Sequence, residues 1–398
     1  PRHLQHLDSI RIKNTITRVL ITTLYERKLV FAITLGLVVI GLFGITKVQS
    51  KGYMVDDIPK NHPVYIDLKY FEKNFSGVMP LEIIVDSDRP KGVMQESVMN
   101  QLNRLQEKIK EYPEISRPIS IVEAAKFARQ GYYNGNPSHY RLPTGPERAF
   151  VMAYLPKNMG DNPLLNRFVD STGRVTRILY NVADVGSIRI NELKAKLRAD
   201  VDSIFKSNSN KVSITGGSII AAKGNNYLVK SLFESLVAAI AIISLFMAWM
   251  FRRGRMVLLS ILPNLIPLLL TAAAMGFIGI PLKPSTVIVF SIAFGISVDN
   301  SIHFLAKYRQ ELIRTKNNSK ASVVCAIRET GVSMIYTSVV LFFGFGIFAA
   351  SQFGGTISLG ILVSLTLLVA LFSNLVLLPS VLLSLSGSKG TDSDCLPQ

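Results

Sequence analysis

The sequence is poor in charge and in cysteine. Charged residues make up 18% of its 398 residues, whereas about a quarter is usual in soluble globular proteins. The two cysteines, Cys325 and Cys395, are too few for a disulfide framework or a cysteine-rich zinc site. We find no P-loop, nucleophile–base pair or metal-ligand spacing, so we predict neither an enzyme nor a cofactor-binding protein. The composition therefore argues against an ordinary soluble enzyme.

Long apolar runs take the place of the missing charge. A membrane-spanning helix needs about 20 mostly apolar residues, with about 17 as the lower limit. Five of the runs are packed close together near the end of the chain, which makes core helices of a soluble protein a poor alternative. We predict six transmembrane helices: Leu29–Ile45, Leu232–Phe251, Met256–Leu282, Pro284–Ala306, Val332–Ala350 and Ile357–Leu385.

The basic residues fall on alternate sides of these spans. The net charge is +17, and its Lys and Arg residues cluster before the first span, after the second and after the fourth, while the other links are nearly bare. The positive-inside rule then places both chain ends in the cytoplasm and the long insert outside the cell membrane. Anionic lipid and topology account for the basic surplus, so we predict no nucleic-acid partner.

The domain boundaries follow from this map. We predict a cytoplasmic lead-in at residues 1–28 with an interfacial helix, Ile12–Leu24, a first span at 29–48, an external domain at 49–227, a five-helix bundle at 228–385 and a cytoplasmic tail at 386–398.

The external insert alternates between strand and helix patterns. Strands are predicted at Leu81–Val85, Ala149–Leu155, Val175–Val182 and Lys211–Thr215, and amphipathic helices at Val93–Tyr112 and Ile188–Phe205. Strand–helix–strand repeated twice is the ferredoxin-like split βαβ arrangement. The predicted fold class is an α-helical membrane bundle, one plus five helices, with an external α+β ferredoxin-like domain.

Asp299 is the one carboxylate well inside a predicted span. It lies eight residues before Lys307, hence ~12 Å from the cytoplasmic end of its helix. His303 follows at i+4 on the same helical face. Ionisable groups inside spans are costly and are functional candidates by default. We therefore predict that Asp299 is a protonation site, with His303 either its partner or a residue that reaches toward the interface.

Polar residues of the neighbouring spans lie at a similar depth. Counting inward from the same side reaches Asn264, Tyr336 with Thr337 beside it, and Asn374. We expect these groups to converge around Asp299, because an unpaired charge in the bundle would be prohibitive. Taken singly, Asn264, Asn374 and Thr337 are better explained as hydrogen-bonding glue between helices than as site residues.

The pattern resembles a known family. One span, a large external insert and five clustered spans are similar to one half of a resistance–nodulation–division (RND) transporter, in the MMPL or hydrophobe-exporter branch, which is related to Patched and sterol-sensing proteins. The most specific stretch is Phe294–Glu311, FGISVDNSIHFLAKYRQE, and Lys51–Asp86 looks like the start of the family's external domain. Leu262–Pro267 and Asn374–Pro379 resemble the proline motifs of the third and sixth spans.

The resemblance implies proton-driven export of lipids or other hydrophobic molecules across the inner membrane, with Asp299 at the coupling position. Two departures stand out: Asn300 replaces an aromatic neighbour common in relatives, and Asn374 replaces a common acidic residue. Family members carry two such halves, and the resemblance suggests the second half here. The expected partners are a hydrophobic or lipid substrate, membrane lipids, and the other half or a second copy.

Two other functions are compatible with this pattern. One is a sterol-sensing-type, lipid-binding membrane scaffold, which has no need of a buried titratable group. The other is a protein-export accessory subunit of the same superfamily, which would contact polypeptide and not lipid.

Overall fold

A computed structural model describes residues 10–48, 53, 57–145, 147, 165–205, 210–251 and 254–385. The structure is mostly helical, with one small antiparallel sheet. It divides into two compact units. Residues 51–227 form the first, called the polar domain, and the remainder forms the second, called the membrane unit.

The sheet of the polar domain has three strands, with the first in the middle. Strand β1, Met79–Asp86, pairs antiparallel with β2, Val175–Val182, and with β3, Lys211–Thr215. Buried side chains alternate along β1, which keeps one face of the strand on the domain core. The predicted strands at these three places are confirmed.

The connection from β2 to β3 forms a split βαβ unit. Both strands run antiparallel to β1 and are therefore parallel to each other, with β1 between them, and one long helix joins them. The strand predicted at Ala149–Leu155 lies outside the described residues. The complete ferredoxin-like arrangement therefore stays a prediction.

Helices of the polar domain cover the sheet. The two predicted amphipathic helices are present, and their apolar stripes are buried in the domain core. Two further helices were not predicted; the clearest signal was Ser120, whose hydroxyl accepts the Glu123 N–H as an N-cap. The helices are α3 (Pro63–Asn74), α4 (Glu96–Ile109), α5 (Ile121–Tyr132) and α6 (Gly186–Phe205), after α1 and α2 of the membrane unit.

A bidentate ion pair between Arg174 and Asp86 lies at one end of the paired strands β1 and β2. Arg174 Nε lies 2.7 Å from Asp86 Oδ1, and its Nη2 lies 2.9 Å from the Asp88 carboxylate. The Arg174 guanidinium, with the Asp88 backbone N–H, lowers the pKa of Asp86 from 3.8 to about 2.

The membrane unit contains six helices, or helix runs, long and apolar enough to cross a membrane, by length and composition among the described residues. The predicted number of spans is confirmed. The segments are α2 (Arg27–Ile45), α7 (Gly217–Phe251), α8 (Gly254–Ile278), α9 (Pro284–Arg314), α10 (Ser319–Gly346) with a 3₁₀ turn at Ile347–Ala350, and α11 (Gly354–Phe372), which continues through a π-helical turn at Ser373–Leu377 into α12 (Leu378–Leu385).

Several helices extend beyond the apolar runs. Helix α7 begins at Gly217, fifteen residues before the predicted span. Helix α9 continues to Arg314, and a turn with positive φ at Lys316 and Asn317 separates it from α10. Residues 307–328, between the fourth and fifth predicted spans, are therefore two helix ends joined by a tight turn.

Helix α1, Ile10–Tyr25, matches the predicted lead-in helix. Its buried Ile16 and Leu20 pack in the same apolar cluster as Phe304, Leu305 and Ile327. The helix is thus fixed to the bundle by its apolar face.

Glycines let α2 and α8 approach closely. A Cβ on Gly276 would lie 2.0 Å from the Gly44 carbonyl oxygen, and a Cβ on Gly44 would lie 2.7 Å from Ala273 Cβ. In a membrane, the lipid tails are as apolar as the helices, so helix association depends on close packing. Small residues at a crossing let the two backbones approach each other.

Candidate functional site

Two prolines in α8 leave backbone groups free for neighbouring helices. Pro263 and Pro267 both lie inside the helix, and Pro267 has no N–H to donate to the Pro263 carbonyl oxygen four residues earlier. The Ser373 hydroxyl donates to that oxygen instead. The proline pair therefore creates an acceptor that ties α8 to the π-helical turn.

The π-helical turn at Ser373–Leu377 directs Asn374 into the bundle. Such a turn contains one residue more per turn than an α-helix, and single turns of this kind often occur at functional sites. Asn374 is fully buried there. The Pro379 that follows, like those of α8, cannot continue the helical hydrogen bonds.

Four side chains from α8, α9 and the π-helical turn form a closed hydrogen-bonded group, called the amide–serine cluster: Asn264, Ser297, Ser301 and Asn374. Asn264 Nδ2 donates to Ser301 Oγ at 2.8 Å, and Ser301 Oγ donates to Asn374 Oδ1 at 2.6 Å. Ser297 Oγ donates to Asn264 Oδ1 at 2.5 Å, and Asn374 Nδ2 donates to the Ser297 carbonyl oxygen at 2.9 Å.

The amide–serine cluster is sealed and neutral. All four residues are at most 1% exposed, and none of them carries charge. In this arrangement they hold three helices in fixed register and satisfy one another, as buried polar groups must. The predicted convergence of Asn264 and Asn374 is therefore present.

Asp299 does not belong to this cluster. Its side chain is 68% exposed on the surface of the isolated chain, and that of His303 is 72% exposed. The two form a pair, with 3.5 Å between His303 Nε2 and Asp299 Oδ1. The expectation that the polar groups of spans three and six surround Asp299 is wrong for this chain.

The reason is the direction in which each side chain leaves the axis of α9. Successive residues of an α-helix are rotated by about 100°, so Asp299, two residues from both Ser297 and Ser301, points about 200° away from them. Counting residues from the end of a span measures depth only. The serines, not the aspartate, occupy the inner face of α9, and their i, i+4 spacing was the signal in the sequence.

The other predicted site residues are dispersed. Asn300, next to Asp299, is buried. Tyr336 is half-buried on α10, and Thr337 is exposed, with its hydroxyl donating to the Ser333 carbonyl oxygen of its own helix at 2.7 Å. The hydroxyl of Thr337 thus bonds within its own helix, whereas the alternative considered for it was a hydrogen bond between helices.

A row of ionisable side chains continues from the Asp299–His303 pair toward the end of α9. Lys307 follows His303 at i+4, and its Nζ lies 3.0 Å from Oε1 of Glu311, one further step along. Glu329 of α10 also pairs with Lys307. Because each i+4 step rotates by about 40°, the row turns from the outward face at Asp299 to the α9–α10 contact at Glu311, which is 1% exposed.

Among the described residues, no group of three or more His, Cys, Asp or Glu side chains is placed to hold a metal ion. The predicted site residues thus contribute to two separate polar features of the membrane unit, the sealed amide–serine cluster and the Asp299–His303 pair on the exposed face of α9.

Six membrane-spanning segments with a polar domain inserted after the first define a polytopic membrane protein. The chain matches the MMPL family over residues 57–393. It belongs to that family of membrane transport proteins, within the RND superfamily, as the motif around Asp299 indicated.

Two curated relatives match shorter segments. The membrane protein MJ1562 of Methanocaldococcus jannaschii is 30% identical over 113 residues, which are 28% of this chain and 29% of the relative. The hopanoid transporter HpnN of Burkholderia multivorans is 27% identical over 135 residues, 34% of this chain and 15% of the relative. The matches thus cover less than a third of either relative.

Proposed function

We propose that this chain is one half of a proton-coupled exporter of lipids or other hydrophobic molecules, with Asp299 as the protonation site. Membership of the MMPL family and the similarity to a hopanoid transporter support the substrate class. The single observation that carries the coupling site is the Asp299–His303 pair, placed in a membrane span on the outward face of α9.

A carboxylate on that exposed face of α9 needs protein or water beside it within the membrane. Asp at the centre of a span costs about 2.5–3.5 kcal/mol on insertion scales, and such residues almost always face protein or water. His303 supplies one polar neighbour, and the amide–serine cluster lies on the other side of the helix. We infer that a second six-helix unit, either the other half or a second copy, packs on the Asp299 face of α9.

Protonation would then change the contact between the two units. The charged carboxylate favours a hydrated or ion-paired contact, whereas the neutral acid tolerates an apolar one. Each cycle of proton binding and release therefore shifts the packing of α9 against its partner. In the proposed orientation, with both chain ends in the cytoplasm, this movement drives the external domain to pass substrate outward.

The test of coupling compares two carboxylates in the full protein, reconstituted into vesicles that contain NBD-labelled phosphatidylethanolamine and internal pyranine. Asp299→Asn should lower pH-gradient-driven lipid transfer and proton flux at least tenfold. Glu234→Gln is the matched control, because Glu234 also forms an exposed i, i+4 pair, with Lys230; its rates should stay within twofold of the wild type.

Wild-type gradient-dependent transfer by Asp299→Asn would refute the coupling role. Lipid binding with no transfer by any variant, including the wild type, would favour the sterol-sensing-type scaffold. Cross-linking of the external domain to nascent polypeptide, with no lipid transfer, would favour the protein-export subunit.

The inferred packing of a second unit on the Asp299 face of α9 has its own test. Gly295→Cys places a thiol one turn from Asp299 in open space on the exposed side of α9, and Ile242→Cys places one at a similar depth and a strongly exposed position on α7. A lipid-soluble maleimide should label the Gly295→Cys protein at least fivefold more slowly. Equal labelling rates would show that lipid, and not a second unit, faces Asp299.

A further inference from the structure

A cavity of about 660 Å³ opens between α10 and α11. Phe343 and Ile347 form one wall, Ile361 and Leu365 the other, and Gly346 and Ser364 line the bottom. The volume falls within the range of about 300–1,000 Å³ typical of small-molecule sites. We call this cavity the α10–α11 groove.

Gly346 keeps the groove open. A Cβ on Gly346 would lie 3.5 Å from Ser364 Oγ, at ordinary contact distance, so a methyl group fits and a longer side chain would occupy the cavity. Gly360 acts differently: its Cβ would lie 2.7 Å from the Ala349 backbone nitrogen and 2.9 Å from the Phe345 carbonyl oxygen. The two helical segments are thus in close backbone contact at Gly360 and are further apart at Gly346.

The lining offers an occupant no ionic partner, and its one side-chain hydroxyl is already engaged. No charged side chain lines the groove, and the Ser364 hydroxyl donates to the Phe342 carbonyl oxygen at 3.0 Å. A peptide segment in extended form would leave its own backbone groups unsatisfied in the hydrocarbon layer. A hydrocarbon chain has no such groups.

The length and position of the α10–α11 groove agree with a hydrocarbon chain as its occupant. The lining extends along α11 from Gly360 to Leu368, about 12 Å at 1.5 Å per residue. It lies on two membrane-spanning segments, near the Ser351–Phe353 link that the charge pattern predicts to be external. An acyl chain from the outer leaflet can therefore enter sideways without crossing a polar layer.

We propose that the α10–α11 groove binds one hydrocarbon chain of a lipid substrate as it leaves the outer leaflet for export. This rests on the proposed export function and names the access site and the ligand chemistry: a straight acyl chain whose polar end stays at the membrane surface.

The test uses phosphatidylcholine with a diazirine in the acyl chain, photolysed in vesicles that contain the full protein. Gly346→Leu should reduce labelling of the segment spanning residues 342–368 at least fivefold, and lipid transfer in parallel. Gly344→Leu is the matched control, because nothing lies within 4 Å of a Cβ at Gly344; its labelling and transfer should equal those of the wild type.

The outcomes separate this proposal from the export function. Equal labelling of both variants would mean annular lipid only and would overturn the groove as a site. Cross-linking of this segment to a second polypeptide would overturn it as well, as would unchanged transfer by Gly346→Leu. If Asp299→Asn kept wild-type gradient-driven transfer while Gly346→Leu still reduced labelling, the proposed coupling mechanism would be refuted. The groove would remain a lipid-binding site.

Discussion

Replacing Asn374 by leucine tests whether the amide–serine cluster stabilises the bundle. Leucine has the same branching and the same number of heavy side-chain atoms, although its methyl groups are bulkier, and it removes the acceptor for Ser301 Oγ, at 2.6 Å, and the donor to the Ser297 carbonyl oxygen, at 2.9 Å. Interhelical hydrogen bonds in membranes average about 0.6 kcal/mol, with a maximum near 1.7. Two such losses predict a decrease of about 1–3 kcal/mol in the free energy of unfolding.

Steric trapping in bicelles measures this free energy for the intact protein. Thr337→Val is the matched control, because the exposed Thr337 hydroxyl bonds only to its own helix and its loss should cost less than ~0.5 kcal/mol. A double-mutant cycle of Asn374→Leu with Ser301→Ala isolates the contact itself. A coupling energy below ~0.3 kcal/mol would refute the reasoning.

Two further predictions concern helix packing and the polar domain. Gly276→Ala should lower stability by about 1–3 kcal/mol through overpacking against α2, measured by the same trapping assay, whereas Gly36→Ala, with open space around its Cβ, should not; equal effects would contradict the close crossing. Arg174→Gln should lower the thermal unfolding midpoint at pH 7. Because the folded pKa of Asp86 is about 2 and its ordinary value is 3.8, the pair stabilises the fold above that ordinary value, and the contribution is lost as pH falls through about 2. The difference from wild type should therefore shrink on acidification, and a constant difference would contradict the ion-pair argument.

The number and order of the spans could be predicted because hydrocarbon thickness sets a length that few soluble helices imitate. Span ends could not be predicted as well. Helix α9 passes the last apolar residues and continues to Arg314, because charged side chains such as Lys307 and Glu311 pair with one another at i, i+4. Hydropathy marks where lipid ends and not where the helix ends.

The candidate site was predictable in depth but not in direction. The sequence identified Asn264, Asn374 and Asp299 at similar levels, and the structure places the two amides together and the aspartate on the opposite side of α9. The inner face belongs to Ser297 and Ser301, whose small hydroxyls fit a tight crossing. In the sequence, the i, i+4 spacing of these two serines marks that face as clearly as an asparagine would.

The extra residue in the π-helical turn at Ser373–Leu377 fixes the rotation of everything that follows it. If this turn became regular α-helix with all its residues kept, Leu378–Leu385 would turn by about 100°, and the buried Leu383 would take the direction of the exposed Ser384. The turn therefore absorbs one residue of the sixth span and keeps the apolar side chains that follow it directed into the bundle.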